Sequence, residues 1–162
     1  MKFIIDVQTG EVKVGGPRVI LESKAIGSCI AVVAFDMFNK IGGLAHIMLP
    51  GRSGFDYASD KTRYAAHALD ELIFRMGKLG TEKENIETCL LGAGNVLERV
   101  EDTICSANIN SVITLLHEHA IKIQAQSLGG TQRRSVSFDV GSGNVFYSEG
   151  NSRHKFFYSF IE

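Results

Sequence analysis

Two segments of the chain carry residues that could do chemistry together. In the first, Gly27-Ser28-Cys29 leads into the apolar run Ile30-Ala31-Val32-Val33-Ala34-Phe35, so a thiol sits at a corner where backbone N–H groups are close at hand. The second, Lys40-Ile41-Gly42-Gly43-Leu44-Ala45-His46-Ile47-Met48-Leu49-Pro50, carries an imidazole. A thiol beside an imidazole and N–H donors is equipment for attack on a carbonyl carbon, which points to hydrolysis of an amide or ester. A free thiol has a pKa near 8.5 and is mostly protonated at neutral pH; an imidazole raises the reactive fraction by forming a thiolate–imidazolium pair. His46 is the candidate base. It could also protonate departing ammonia and then activate water against the acyl-enzyme. A hydroxyl from Ser23 or Ser28 could fix its tautomer, and N–H groups around Gly27, Ser28 and Cys29 could hold the oxyanion.

The elements that must position these groups follow from pattern. The run from Ile30 to Phe35 is apolar on both faces and reads as a strand buried between two layers. Asp36-Met37-Phe38-Asn39 fits a four-residue hairpin loop. If Phe35 and Lys40 close that loop, Cys29 lies directly opposite His46, with Cβ atoms about 4.5–5.5 Å apart. The bland alternative is that Cys29 packs, as most cysteines in apolar strands do; the expected pairing with His46 is what favours chemistry. Cys89 and Cys105 are read as packing residues.

Around this hairpin, residues 3–7 and 11–14 read as short strands about the turn Gln8-Thr9-Gly10, and Val19-Ile20-Leu21 as a third, brief one. Pro50 to Phe55 reads as a loop beside the site. A helix capped by Ser59 or Asp60 carries Ala65, Ala68, Leu69, Leu72, Ile73 and Met76 on its apolar face, and ends near Gly77 and Gly80. A strand over 86–91 runs into the corner Gly92-Ala93-Gly94-Asn95. A second helix, starting near Ser106 or Asn108, shows Ile109, Val112, Ile113 and Leu116. Strands are expected again over 121–126, 135–139 and 144–147, with Gly141-Ser142-Gly143 between the last two. The whole reads as one α/β domain.

Composition sets the class. The chain has 162 residues, 44% hydrophobic and 22% charged, which suits one globular domain. With 17 Lys and Arg against 18 Asp and Glu, net charge gives no reason to expect nucleic acid or an anionic membrane as partner. No apolar stretch reaches the roughly 20 residues of a membrane span, and an acid at Asp6 interrupts the N-terminal apolar run too early for a signal peptide. A cytoplasmic protein with reduced thiols is the expectation. No zinc-ligand spacing involves the three cysteines. His117 and His119, two apart, make a poor metal pair on a helix, and His67 and His154 carry no pattern. Gly92-Ala93-Gly94-Asn95 and Gly129-Gly130-Thr131 lack a Walker lysine or dinucleotide fingerprint and are read as turns. No cofactor or metal is expected.

These residues resemble a known family. Gly27-Ser28-Cys29 with its apolar strand, then Lys40 to Pro50, is similar to the signature of CheD, the chemoreceptor glutamine deamidases. The helix over 64–80, Gly92-Ala93-Gly94, and Leu128-Gly129-Gly130 before Arg133-Arg134-Ser135-Val136-Ser137-Phe138-Asp139 follow in the same order. The resemblance implies a cysteine hydrolase that converts glutamines of methyl-accepting chemotaxis proteins to glutamate with release of ammonia; some members also cleave glutamate methyl esters. Cys29 would be the nucleophile, His46 the base and Ser23 the third residue, where the family usually has threonine. Ser23-Lys24-Ala25-Ile26 stands where Thr-x-Gly-Leu is common, and Gly130-Thr131-Gln132-Arg133 lacks a glycine often found before the Arg. The implied fold is a single domain over 1–162, a mixed or antiparallel β-sandwich with helices packed outside, related to the catalytic domains of deamidating toxins. Residues 150–162 form an extension of unassigned role. Family members also bind CheC, a phosphatase, so the alternative is a mainly regulatory CheC partner.

Overall fold

The computed structural model describes residues 1–54 and 61–161. Its two five-stranded sheets lie face to face, and two helices cover the outer face of one of them. The first sheet takes β1 (Phe3–Asp6), β3 (Val19–Ile26), β8 (Arg134–Asp139), β9 (Asn144–Glu149) and β10 (Lys155–Ser159), in that spatial order. The second takes β2 (Val12–Gly15), β5 (Ile41–Ile47), β4 (Ile30–Asp36), β6 (Ile86–Gly92) and β7 (Lys122–Leu128). Helices α1 (Ala65–Lys78) and α2 (Thr103–Glu118) pack on the second sheet.

The three layers explain the unbroken apolar run of β4. Ala31, Val33 and Phe35 enter the core between the sheets, while Ile30, Val32 and Ala34 face the helices, so every residue of the strand is buried. Both neighbours of β4 run antiparallel to it. The α1 face expected from periodicity is the packed one: Ala65, Ala68, Leu69, Leu72 and Met76 are buried, and Ile73 packs partly buried on the same cluster.

Several expectations need correction. The β4–β5 hairpin closes one residue later than the loop reading had it. Asp36 pairs with Ile41, because its buried carboxylate accepts from the N–H groups of Phe38 (3.0 Å) and Asn39 (3.2 Å) and thus ends the strand. Lys40, at φ 53°, completes the turn. As a result His46 lies opposite Ala31, and Cys29, just before the strand, is its diagonal neighbour rather than its direct partner. A shift of two residues keeps the face, because side chains alternate with period two.

The third strand is not brief. β3 runs through Ser23 to Ile26 and pairs with β8, with a bulge between Ser23 and Ile26 at which Ala25 takes φ 55°. The bulge inserts one residue, which lets Ser23 and Ile26 both point inward. Nor do the first two strands form a hairpin: β1 pairs parallel with β3, and β2 pairs antiparallel with β5 in the other sheet. Helix α1 begins after Tyr64, and the expected caps Ser59 and Asp60, like Phe55, lie outside the described residues. Helix α2 begins after Asp102, whose carboxylate caps the Cys105 N–H at 3.1 Å, so Ser106 and Asn108 lie inside it.

Candidate active site

Ser23, on the inward face of β3, reaches across from the first sheet to His46 on β5 of the second. The two side chains are buried, at 0% and 2% exposure, and Ser23 Oγ stands 2.8 Å from His46 Nδ1. Ser23 Oγ is also 2.7 Å from the Val7 carbonyl oxygen, which can only accept, so the single hydroxyl proton goes there. Ser23 Oγ must then accept from His46 Nδ1–H. The tautomer is thereby assigned: the proton sits on Nδ1, and Nε2 keeps its lone pair. Nε2 is buried and has no hydrogen-bond partner among the described residues. The loop between β1 and β2 holds the backbone on either side, with Gly10 N–H donating to the His46 carbonyl (2.8 Å) and His46 N–H to the Glu11 carbonyl (3.0 Å).

Cys29 is half-buried and packs against the inter-sheet core, on the side of the sheet that carries His46. Its loop is pinned from behind. The Gly27 carbonyl accepts from Gly94 N–H (2.9 Å) and the Cys29 carbonyl from Ala93 N–H (2.7 Å). Gly92, at φ 125°, permits this approach; a Cβ there would drive into the Cys29 carbonyl and the Ile26 side chain. The corner is knotted in turn by the buried Arg134, whose guanidinium donates to the carbonyls of Gly92 (3.1 Å), Gly129 (2.8 Å) and Gln132 (3.3 Å). The two glycine turns are therefore one scaffold behind the cysteine. Beside it opens a cleft of about 340 Å³, walled by Gly27 and Ser28 on one side and by residues 94–97 and the start of α2 on the other.

The structure thus joins Ser23 to His46 by a hydrogen bond, and places Cys29 on the same inter-sheet side without a thiol–imidazole hydrogen bond. Burial pushes the Cys29 thiol up, against the smaller pull of its own backbone N–H. Burial likewise pushes the His46 imidazole down, outweighing the Val7 carbonyl and Asp6. Both directions favour neutral thiol and neutral imidazole at rest over the ion pair that a simple thiol–imidazole contact suggests. Among the described residues Ser28 makes no hydrogen bond to the ring; its carbonyl accepts from Asn108 Nδ2 at 2.9 Å. Asn108 and Arg134 escaped sequence reasoning, and the only signal for Asn108 was a polar residue in the apolar stripe of α2. Cys89 is buried, its thiol pushed up to about 12 chiefly by burial, in keeping with a packing role.

Fold and site together define a two-sheet α/β protein with a half-buried cysteine beside a serine-oriented histidine. The family model described as "CheD chemotactic sensory transduction" matches residues 48–149. A "Probable chemoreceptor glutamine deamidase CheD" of Chlorobium luteolum is 38% identical over 94% of this chain and 76% of its own length. A "Chemoreceptor glutamine deamidase CheD" of Thermotoga maritima is 31% identical over 90% of each chain. Another protein named as a probable CheD deamidase, from Haloarcula marismortui, is 30% identical over 91% of this chain and 86% of its own. This chain belongs to the CheD family. Among solved structures, the Bacillus licheniformis hypothetical protein YfiH aligns with a TM-score of 0.41 at 13% identity, over 68% of this chain and 46% of that one.

Proposed function

We propose that this chain is a chemoreceptor glutamine deamidase in which Cys29 is the nucleophile, His46 the general base and Ser23 the group that orients it. The observation that carries the reading is the committed proton of Ser23, which leaves His46 Nε2 as an unpaired base on the side of the sheet where a half-exposed thiol sits. The names of its relatives supply the substrate, glutamine side chains of chemoreceptors.

In the proposed reaction His46 Nε2 takes the thiol proton as sulfur bonds to the carboxamide carbon. N–H groups of the Gly27-Ser28-Cys29 segment receive the charge on oxygen. Collapse breaks the C–N bond, and the imidazolium passes its proton to the leaving nitrogen, which departs as ammonia. The thioester is then opened by water, deprotonated by the same ring, which gives glutamate and restores the thiol. A thiol that touches no base at rest is compatible with this sequence, because catalytic hydrogen bonds in unliganded enzymes are often long and tighten with substrate. The cleft beside Ser28 is where a receptor segment would enter.

Methyl-accepting chemotaxis proteins as substrates, a CheC-type phosphatase as a second partner and a cytoplasmic location belong to the same reading. The receptors rest on the relatives' names, and the CheC-type partner and the location on the family resemblance. The test is mass spectrometry of receptor fragments incubated with the purified protein. A gain of about one dalton at glutamine, abolished in Cys29→Ala, is the expected outcome of the acyl-transfer route. Receptors left unchanged by the intact protein, with CheC still bound, would transfer the reading to a regulatory role.

A further inference from the structure

The stripe by which α2 packs on the sheet runs Cys105, Asn108, Val112, Leu116, all buried. Helical period calls for an apolar residue at 108, yet the chain puts a carboxamide there, at 0% exposure and with Oδ1 unpartnered among the described residues. A buried polar atom left unpaired is costly, so the group has to be justified by its other end. There, Nδ2 donates both hydrogens, one to the Ser28 carbonyl (2.9 Å) and one to the Met48 carbonyl (3.1 Å). The assignment of nitrogen and oxygen is forced, because both partners are acceptors.

The position of those two carbonyls matters. The β4–β5 ladder ends at the pair Ile30 and Ile47. Beyond it the two chains separate like a fork, one tine carrying Ser28 and Cys29, the other Met48. Asn108 ties the tines together from the helix side.

We propose that Asn108 is a positioning residue that sets the separation of Cys29 from His46 by bridging the Ser28 and Met48 carbonyls across the open end of the β4–β5 hairpin. The inference rests on the proposed thiol–imidazole chemistry and adds a residue to it. Without the bridge the Cys29 corner keeps only the ties of its Gly27 and Cys29 carbonyls behind it and loses the one that sets its distance from the β5 side, and a misplacement of about an ångström is enough to cost on the order of a hundredfold in rate.

The experiment reads the thiol directly. Iodoacetamide modification of Cys29, followed by mass spectrometry of its peptide, is measured against pH in the wild type and in His46→Ala, Asn108→Ala, Asn108→Ser and Leu116→Ala. In the wild type, neutral His46 acting as general base should give a rate plateau that begins below about pH 6.5, because burial lowers the ring, and runs up to the raised titration of the thiol. His46→Ala should abolish it. Asn108→Ala should lower it by about ten- to a hundredfold, with a matching fall in kcat and little change in KM. Asn108→Ser, whose short hydroxyl cannot span both carbonyls, should do the same and serves if the alanine variant does not fold. Leu116→Ala, destabilised through a core cavity on the same helix, should keep the plateau. A plateau intact in the folded Asn108 variants, or lowered equally in Leu116→Ala, overturns the inference and leaves the cysteine hydrolase reading standing. A wild type with no plateau overturns the inference, and one that also leaves receptor glutamines unconverted overturns both.

Discussion

Ser23 and His46 form a pair in which one proton decides the chemistry. Removing the hydroxyl leaves the Val7 carbonyl and His46 Nδ1 buried without their partner and frees the ring to adopt the wrong tautomer. Ser23→Ala is therefore expected to lower kcat by about tenfold to a thousandfold. Ser23→Thr, which keeps the oxygen, should stay within a few-fold of wild type, as measured by ammonia release from receptor substrate. His46 also ties stability to pH. Burial lowers its folded pKa below the unfolded value, so between the two the unfolded chain binds more protons than the folded one. This contribution is complete above about pH 6.5, is lost as pH falls towards the folded pKa, and has a slope of at most about 1.4 kcal/mol per pH unit. Urea titrations from about pH 4.5 to about pH 7.5 should show that slope in the wild type and a shallower one in His46→Gln.

Strand β3 shows how an element is bent to serve the site. Its inward positions are Leu21, Ser23 and, past the bulge, Ile26, so the strand delivers a hydroxyl and then returns an apolar side chain to the core. The bend needs Ala25 at φ 55°, a conformation glycine adopts freely and alanine only at a cost of about 1–2 kcal/mol. Ala25→Gly should raise stability by about 0.5–1 kcal/mol once the greater freedom of glycine in the unfolded chain is set against the relieved strain. Thermal denaturation would detect it, and a decrease would mean that the bulge tolerates alanine without strain.

At the scale of the whole molecule, the segment after Gly150 completes the sandwich. Strand β10 pairs with β9 at the edge of the first sheet, and Phe160 beyond it is buried at 5% exposure against Phe35 (5.4 Å between ring centres) and Phe138 (5.8 Å). Phe160 thus fills the core beneath β4, the strand that follows Cys29. Phe160→Ala should cost about 3–5 kcal/mol of stability by opening a cavity among those rings. Chemical denaturation would measure it, and a loss below about 1 kcal/mol would mean that the core closes over the gap.

The types and order of most elements were legible because burial writes itself into periodicity: β4 is apolar throughout since both its faces are covered, and α1 repeats every three to four residues because one face is. The proposed nucleophile and base stood out for another reason, the placing of chemically active side chains at the ends of such runs. What the residues could not disclose lay where a polar group replaces an apolar one in the core. Ser23 erased the alternation that would have extended β3, and Asn108, expected near the start of its helix, lies within it. The hairpin register turned on one hydrogen-bonding choice by Asp36, which local sequence leaves open and the folded turn settles. So the sequence by itself determined the chemistry on offer and the layers that would hold it. Only the tertiary structure decided which proton points where, because that depends on Val7, Ser23 and His46, three residues from distant parts of the chain, meeting between two sheets.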